Sequence, residues 1–143
     1  MYLDDLRVGM EWELPEVTID RERMMDFARL YDPLPQHLDE NYAKNTRFGG
    51  LIAPGVMSFM SIWAKFVELG VFGDQLVAGL STKIEWMKPV YPDDILKATI
   101  RISDIQRRSV HNGVAETTLI AVNQHGEAVL RNVTDSIVMY REN

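Results

Sequence analysis

Two hydrophobic periods divide the chain. As far as Gly70 the apolar residues recur at helical spacing, and beyond Gly73 they alternate. Met24, Phe27, Ala28 and Tyr31 fall at i, i+3, i+4 and i+7, one apolar face of a helix. Asp20 is placed to cap that helix and Pro33 to end it. Ahead of it, Trp12 to Ile19 reads as a short strand, and after it Asp39 is placed to cap a second short helix in "ENYAKNT". "RFGGLIAPG" is a loop that feeds a long helix, Val56 to Gly70, with Gly70 as its C-cap.

The polar residues of the long helix are Ser58, Ser61, Lys65 and Glu68. They lie within about 80° of arc, and every other position is apolar. So narrow a polar stripe predicts a helix covered on most of its sides. It is too short, and with Lys65 and Glu68 too charged, to span a membrane. Four long strands follow, beginning with Leu76 to Trp86 and then the alternation of Leu96, Ala98, Ile100 and Ile102. "GVAETTLIAVN" and "EAVLRNVTDSIVMY" complete them, with turn signals at "YPDD", "HNG" and "QHG". Asn112-Gly113 reads as a hairpin turn. A sheet this long, following a helix this apolar, predicts an α+β domain spanning residues 1–143: a curved antiparallel sheet wrapped around a long central helix. The last strands would leave an edge for a second copy to pair with, giving a homodimer or higher homo-oligomer.

Composition narrows the function classes. The 143 residues carry a formal net charge of −6, and no basic run exceeds Arg107-Arg108, which argues against a nucleic-acid partner. A small anionic ligand remains open, with Arg47, Lys83 and Lys88 as candidate phosphate contacts. No cysteine is present, so disulfides, thiolate catalysis and cysteine-ligated metals are excluded. The N-terminal stretch has neither the basic flank nor the apolar core of a secretory signal, and the expectation is a cytoplasmic protein without a membrane segment. Asp32, His37 and Asp39 match no usual ligand spacing, so no metal is expected.

The chemistry concentrates in "YDPLPQHLDE", Tyr31 to Glu40, which holds one histidine, three carboxylates and two prolines. Prolines at 33 and 35 bar a regular helix there. His111 and His125 sit in turn signals and read as solvated, whereas His37 follows Asp32 by five residues on a rigid turn. The stretch "DFARLYDPLPQHLDENYAKNTRFGGLIAPGVM" resembles the signature of the MaoC-like dehydratases, a hotdog-fold family that includes the (R)-specific enoyl-CoA hydratases. Asp32, Pro35, His37, Asp39, Ala43, Phe48 and Gly55 stand at the matching spacing. "KPVYPDDIL" and "AVNQHGEAV" look like the family's later motifs, in the same order.

The resemblance implies a hydratase or dehydratase acting on the 2,3 double bond of an enoyl thioester, on CoA or a carrier protein, without a cofactor. It assigns Asp32 and His37 as the catalytic pair and the Gly55 backbone N–H as oxyanion donor. Hydration needs a base for water and an acid for the α-carbon, and a carboxylate and an imidazole on one turn can share that water. A donor for the enolate oxygen suits a glycine at a helix start. Tyr31, Leu34, Pro54, Ser58 and Trp63 are candidate substrate contacts. Leu34 replaces the family's usual asparagine, Pro54 the common histidine or serine, and Trp63 a helix serine in ungapped register from Gly55. The expectation is that Trp63 walls the acyl pocket, with core packing the alternative. Two other functions stay open: a hotdog thioesterase, for which Glu68 is the only helix carboxylate, and a non-catalytic acyl-thioester binder.

Overall fold

Residues 1–142 are described by a computed structural model. The element order is β1 (Glu11–Glu13), β2 (Val17–Thr18), α1 (Arg21–Tyr31), α2 (Pro35–Leu38), α3 (Glu40–Lys44), α4 (Gly55–Leu69), β3 (Leu76–Trp86), β4 (Ile95–Arg107), β5 (Asn112–Val122) and β6 (Ala128–Met139). The strands form one antiparallel sheet in the order β1-β4-β5-β6-β3, with β2 also pairing β4. Alternation puts Ile100 and Ile102 of β4, Leu119 of β5 and Leu130 and Val138 of β6 on the inner face, all buried. Phe59, Ile62 and Phe66 of α4 join them in a single core. The sheet therefore curves around α4, the architecture of the hotdog fold. No helix among the described residues is long and apolar enough to cross a membrane.

The structure differs from the sequence expectation in several places. Trp12 to Ile19 is two short strands, because Pro15 carries no N–H to continue the ladder. Both still pair with β4. Pro33 ends α1, but Pro35 opens the single turn of α2, where a missing N–H costs nothing and φ is already helical. Asn112-Gly113 lies within β5 rather than in the hairpin turn, which is closed by Arg108 and Ser109 bonding the Asn112 carbonyl. Gly113 is needed for space: a Cβ there would approach Gln106 O and Leu3 Cδ2 at 2.5 Å. The open edge belongs to β3, whereas the last strand, β6, lies between β5 and β3.

The polar stripe of α4 is turned partly inward. Ser58 is fully buried and Ser61 half-buried, and their hydroxyls donate to the Pro54 and Met57 carbonyls at 3.5 and 2.8 Å. Glu68 stays exposed, but so do apolar Val56, Met60, Ala64, Val67 and Leu69. The helix is thus less covered than its composition predicts. Strand β3 is exposed at every residue except the half-buried Ile84. It is pinned to β6 by a closed ring of hydrogen bonds. The Thr82 hydroxyl donates to Thr134 Oγ1 (2.8 Å), Thr134 donates to Asn132 Oδ1 (2.9 Å), and Asn132 Nδ2 donates back to Thr82 Oγ1 (2.6 Å). Asn132 spends its other N–H on the Lys83 carbonyl, so this wholly buried amide leaves nothing unpaired.

Candidate active site

Helix α1 ends where Asp32 takes a non-helical conformation, its N–H still bonded to the Ala28 carbonyl at 2.9 Å. The chain then turns sharply: Leu34 N–H bonds the Asp32 carbonyl (2.7 Å) and His37 N–H the Leu34 carbonyl (3.0 Å). The Asp39 side chain accepts from Tyr42 N–H and starts α3, as its capping role requires. Arg21 at the start of α1 pairs with Glu40 at the start of α3, bracing the turn from outside. The hydrogen bond and charge of Arg21 hold the Glu40 carboxyl below the usual carboxylate range.

His37 is buried, while the Asp32 side chain is 41% exposed. The imidazole Nδ1 lies 2.7 Å from the Ile52 carbonyl and Nε2 lies 3.1 Å from Asp32 Oδ2. A carbonyl can only accept, so Nδ1 carries a proton and donates it there. That assigns the tautomer. In the neutral ring Nε2 then presents a lone pair, and so does an ionised Asp32. A hydrogen bond between them needs one shared proton. The pair can therefore take up a proton or release one at the carboxylate–Nε2 end, with Nδ1 held fixed throughout.

Asp32 and His37 line a cleft of about 440 Å³ together with Leu34, Gly55 and Ser58. The Ile52 amide bonds the Gln36 carbonyl and the Ala53 amide the Val90 carbonyl (2.7 Å), so the loop before α4 is stitched to the turn on one side and to the "KPV" segment on the other. Gly55 is the first residue of α4, no side chain caps the helix, and among the described residues no acceptor pairs with the Gly55 N–H. Arg47 and Lys88 also line the cleft. Lys88 is tied to Glu127, whereas Arg47 lies with its guanidinium 4.9 Å from the Phe48 ring centre and no carboxylate within ion-pair range among the described residues. Lys83 lies beside Glu85, away from the cleft. Among the described residues no group of three or more His, Cys, Asp or Glu side chains could hold a metal ion.

Three candidate contacts fall outside the cleft lining. Tyr31 is 72% exposed, with its ring against Phe27. Pro54 is buried beneath the start of α4, where its carbonyl accepts the Ser58 N–H. Trp63 does not wall the cleft. Its ring packs 5.8 Å from Phe59 and 5.2 Å from Phe66, on the flank of α4 whose Phe66 meets Trp12 of β1. Register from Gly55 places Trp63 on that flank, and the flank faces the core. The tryptophan that does line the cleft is Trp86, at the end of β3. Its position just before "MKPV" is plain in the sequence, but nothing there joins it to Gly55.

A family model described as "MaoC like domain" matches residues 5–124. An uncharacterized protein of Bacillus subtilis, YdeM, is 31% identical over 125 residues, covering 87% of this chain and 89% of its own. The crystal structure of a MaoC-like dehydratase from Rhodospirillum rubrum superposes with a TM-score of 0.90 and 27% identity, over 100% of this chain and 99% of that one. An R-hydratase from Pseudomonas aeruginosa, in its unliganded form, gives a TM-score of 0.74 and 25% identity, covering 99% of this chain and 86% of that chain.

The placement of Trp63 is checked by Trp63→Ala. Emptying that site should lower unfolding free energy by about 3 kcal/mol in urea titrations, with ligand binding in the cleft unchanged. Altered ligand binding at undiminished stability would return Trp63 to the cleft wall.

Proposed function

This chain belongs to the MaoC-like domain family, and on that premise we propose that it is a hydratase or dehydratase, adding or removing water across the 2,3 double bond of an enoyl thioester. The observation that carries the reading is the Asp32–His37 pair at 3.1 Å, its Nδ1 locked on Ile52, in one cleft with the start of α4. In the hydration direction a water oxygen bonds to C3 as the carboxylate–Nε2 end takes its proton. The C2–C3 π electrons move into the thioester, and negative charge gathers on its oxygen. The Gly55 N–H, with the helix dipole behind it, stabilises that charge. A proton then passes to C2, and the pair ends as it began. Dehydration is the same path reversed.

Glu68 weighs against the thioesterase alternative. It lies at the far end of α4, 64% exposed in its side chain and paired with Lys65, outside the cleft. The carrier is read from Arg47, the free cation of the cleft lining among the described residues, which suits a phosphate of CoA. The protein acts as a homodimer in this reading. The open edge of β3, exposed Leu76, Val77 and Leu80, and the outer face of α4 are apolar surfaces that a second copy would cover.

Asp32→Asn and His37→Ala should each reduce hydration of a short enoyl-CoA by roughly 10²–10⁴-fold with the fold retained, followed by loss of the conjugated-thioester absorbance. Near-native turnover in either variant would remove that residue from the mechanism. Arg47→Ala should raise KM for an enoyl-CoA roughly three- to tenfold, the scale of one exposed charged contact. A phosphate-free enoyl thioester should not respond, and an equal effect on both substrates would argue against phosphate binding. Sedimentation at micromolar concentration should show a dimer, and a stable monomer there would overturn the assembly.

A further inference from the structure

Trp86 ends β3 and lines the cleft that holds Asp32, His37 and Gly55. Its indole lies flush on Gly55. A Cβ built on that glycine would run into Cε2, and would meet Nε1 at 2.5 Å and Cζ2 at 2.9 Å. Real Cβ atoms do not make such approaches, so residue 55 is glycine in part because the indole occupies the space of any side chain there. Gly55 also opens α4 and carries the N–H assigned to the oxyanion. A thioester oxygen that reaches this N–H therefore brings its acyl group up against the ring.

The ring is a wall with a firm support. The backbone of Trp86 is paired with Leu130 of β6, and the next residue, Met87, donates to the Val129 carbonyl at 2.8 Å. A side chain on a paired strand holds its place more closely than one on a loop. Trp86 itself is 48% exposed, so it is not committed to the core as Trp63 is.

We propose that Trp86 is the specificity-determining wall of the acyl compartment, pressed against Gly55 so that enoyl thioesters with short or compact acyl groups fit and long chains are excluded. The proposal rests on the enoyl-thioester reading of the cleft, and its test is built on binding so that it does not depend on turnover.

Butyryl-CoA and octanoyl-CoA, saturated and inert to hydration, serve as probes of the whole protein in calorimetric titrations. The wild type should bind butyryl-CoA at least roughly tenfold more tightly than octanoyl-CoA, since each excluded methylene is worth about that factor in a closed pocket. Trp86→Ala should abolish or reverse the preference, and Trp86→Phe, a smaller ring that keeps the strand and core intact, should shift it the same way. An unchanged preference in Trp86→Phe overturns the proposal, as does a wild type that prefers octanoyl-CoA or binds neither probe. Hydration of crotonyl-CoA is measured alongside. Length-selective binding that responds to Trp86 in a protein without turnover upholds the wall and refutes the hydratase reading, whereas turnover with a preference indifferent to Trp86 does the reverse.

Discussion

The buried hydrogen bond from His37 Nδ1 to the Ile52 carbonyl joins two segments that the rest of the site is arranged around. On one side is the acid-rich turn, on the other the loop that delivers Gly55 to the head of α4. The bond sets the imidazole tautomer, aims Nε2 at Asp32, and holds the two chemical halves of the cleft in register. A carbonyl left without that donor inside the protein would be costly, and so would a buried imidazole without its acceptor, so each partner enforces the other. The short turn of α2 presents this ring. Pro35 supplies a helical φ at its first position, and Gln36 offers its carbonyl to the Ile52 amide, closing the joint from the backbone as well.

A second joint links the two later motifs of the chain. Lys88 of "KPVYPDDIL" pairs with Glu127 of "AVNQHGEAV", and the Asp94 carboxylate accepts from Gln124 Nε2 at 2.8 Å and from the Tyr91 amide at 2.9 Å. Asp94 is buried, so these partners keep its charge from being stranded. The Tyr91 hydroxyl reaches the Phe48 carbonyl at 2.9 Å, and Val90 accepts from Ala53. The two motifs therefore act as one brace. It holds the turn before β6, the "KPV" segment and the loop before α4 together, and it sets the outer wall of the cleft without taking part in the proposed chemistry. It also occupies Lys88, which leaves Arg47 as the cation of the lining able to meet a ligand.

The orientation of α4 bears on the proposed assembly. A helix with serines turned inward and Val56, Met60 and Val67 turned outward is unfavourable for a protomer alone in water. Strand β3 is likewise open on its edge and exposed on both faces, with its register held by the Asn132 ring. Helix and strand meet at Trp86, whose indole contacts the first residue of α4. The same ring thus borders the cleft and the apolar surface, so the proposed acyl selection and the proposed association would share a boundary.

By itself the sequence determined the long elements and their type, because the two periods are properties of neighbouring residues; the short ones, the split of the first strand at Pro15 and the helical turn opened by Pro35, it did not. It also determined the spacing that puts a carboxylate and an imidazole on one turn, and the glycine at the head of the long helix. Tertiary structure alone decided which way those elements face. A helical wheel gives the angle between Ser58 and Trp63 but not which of the two looks into the core. Alternation gives the two faces of β3 but not its place at the edge, since sheet order is a contest among all strands for partners. So the two serines of the polar stripe turned inward while Glu68 stayed exposed, and the tryptophan at the cleft proved to be Trp86 rather than Trp63. The partner of His37 Nδ1 is a backbone carbonyl, Ile52, a group every residue carries, and only the meeting of turn and loop in three dimensions could single it out.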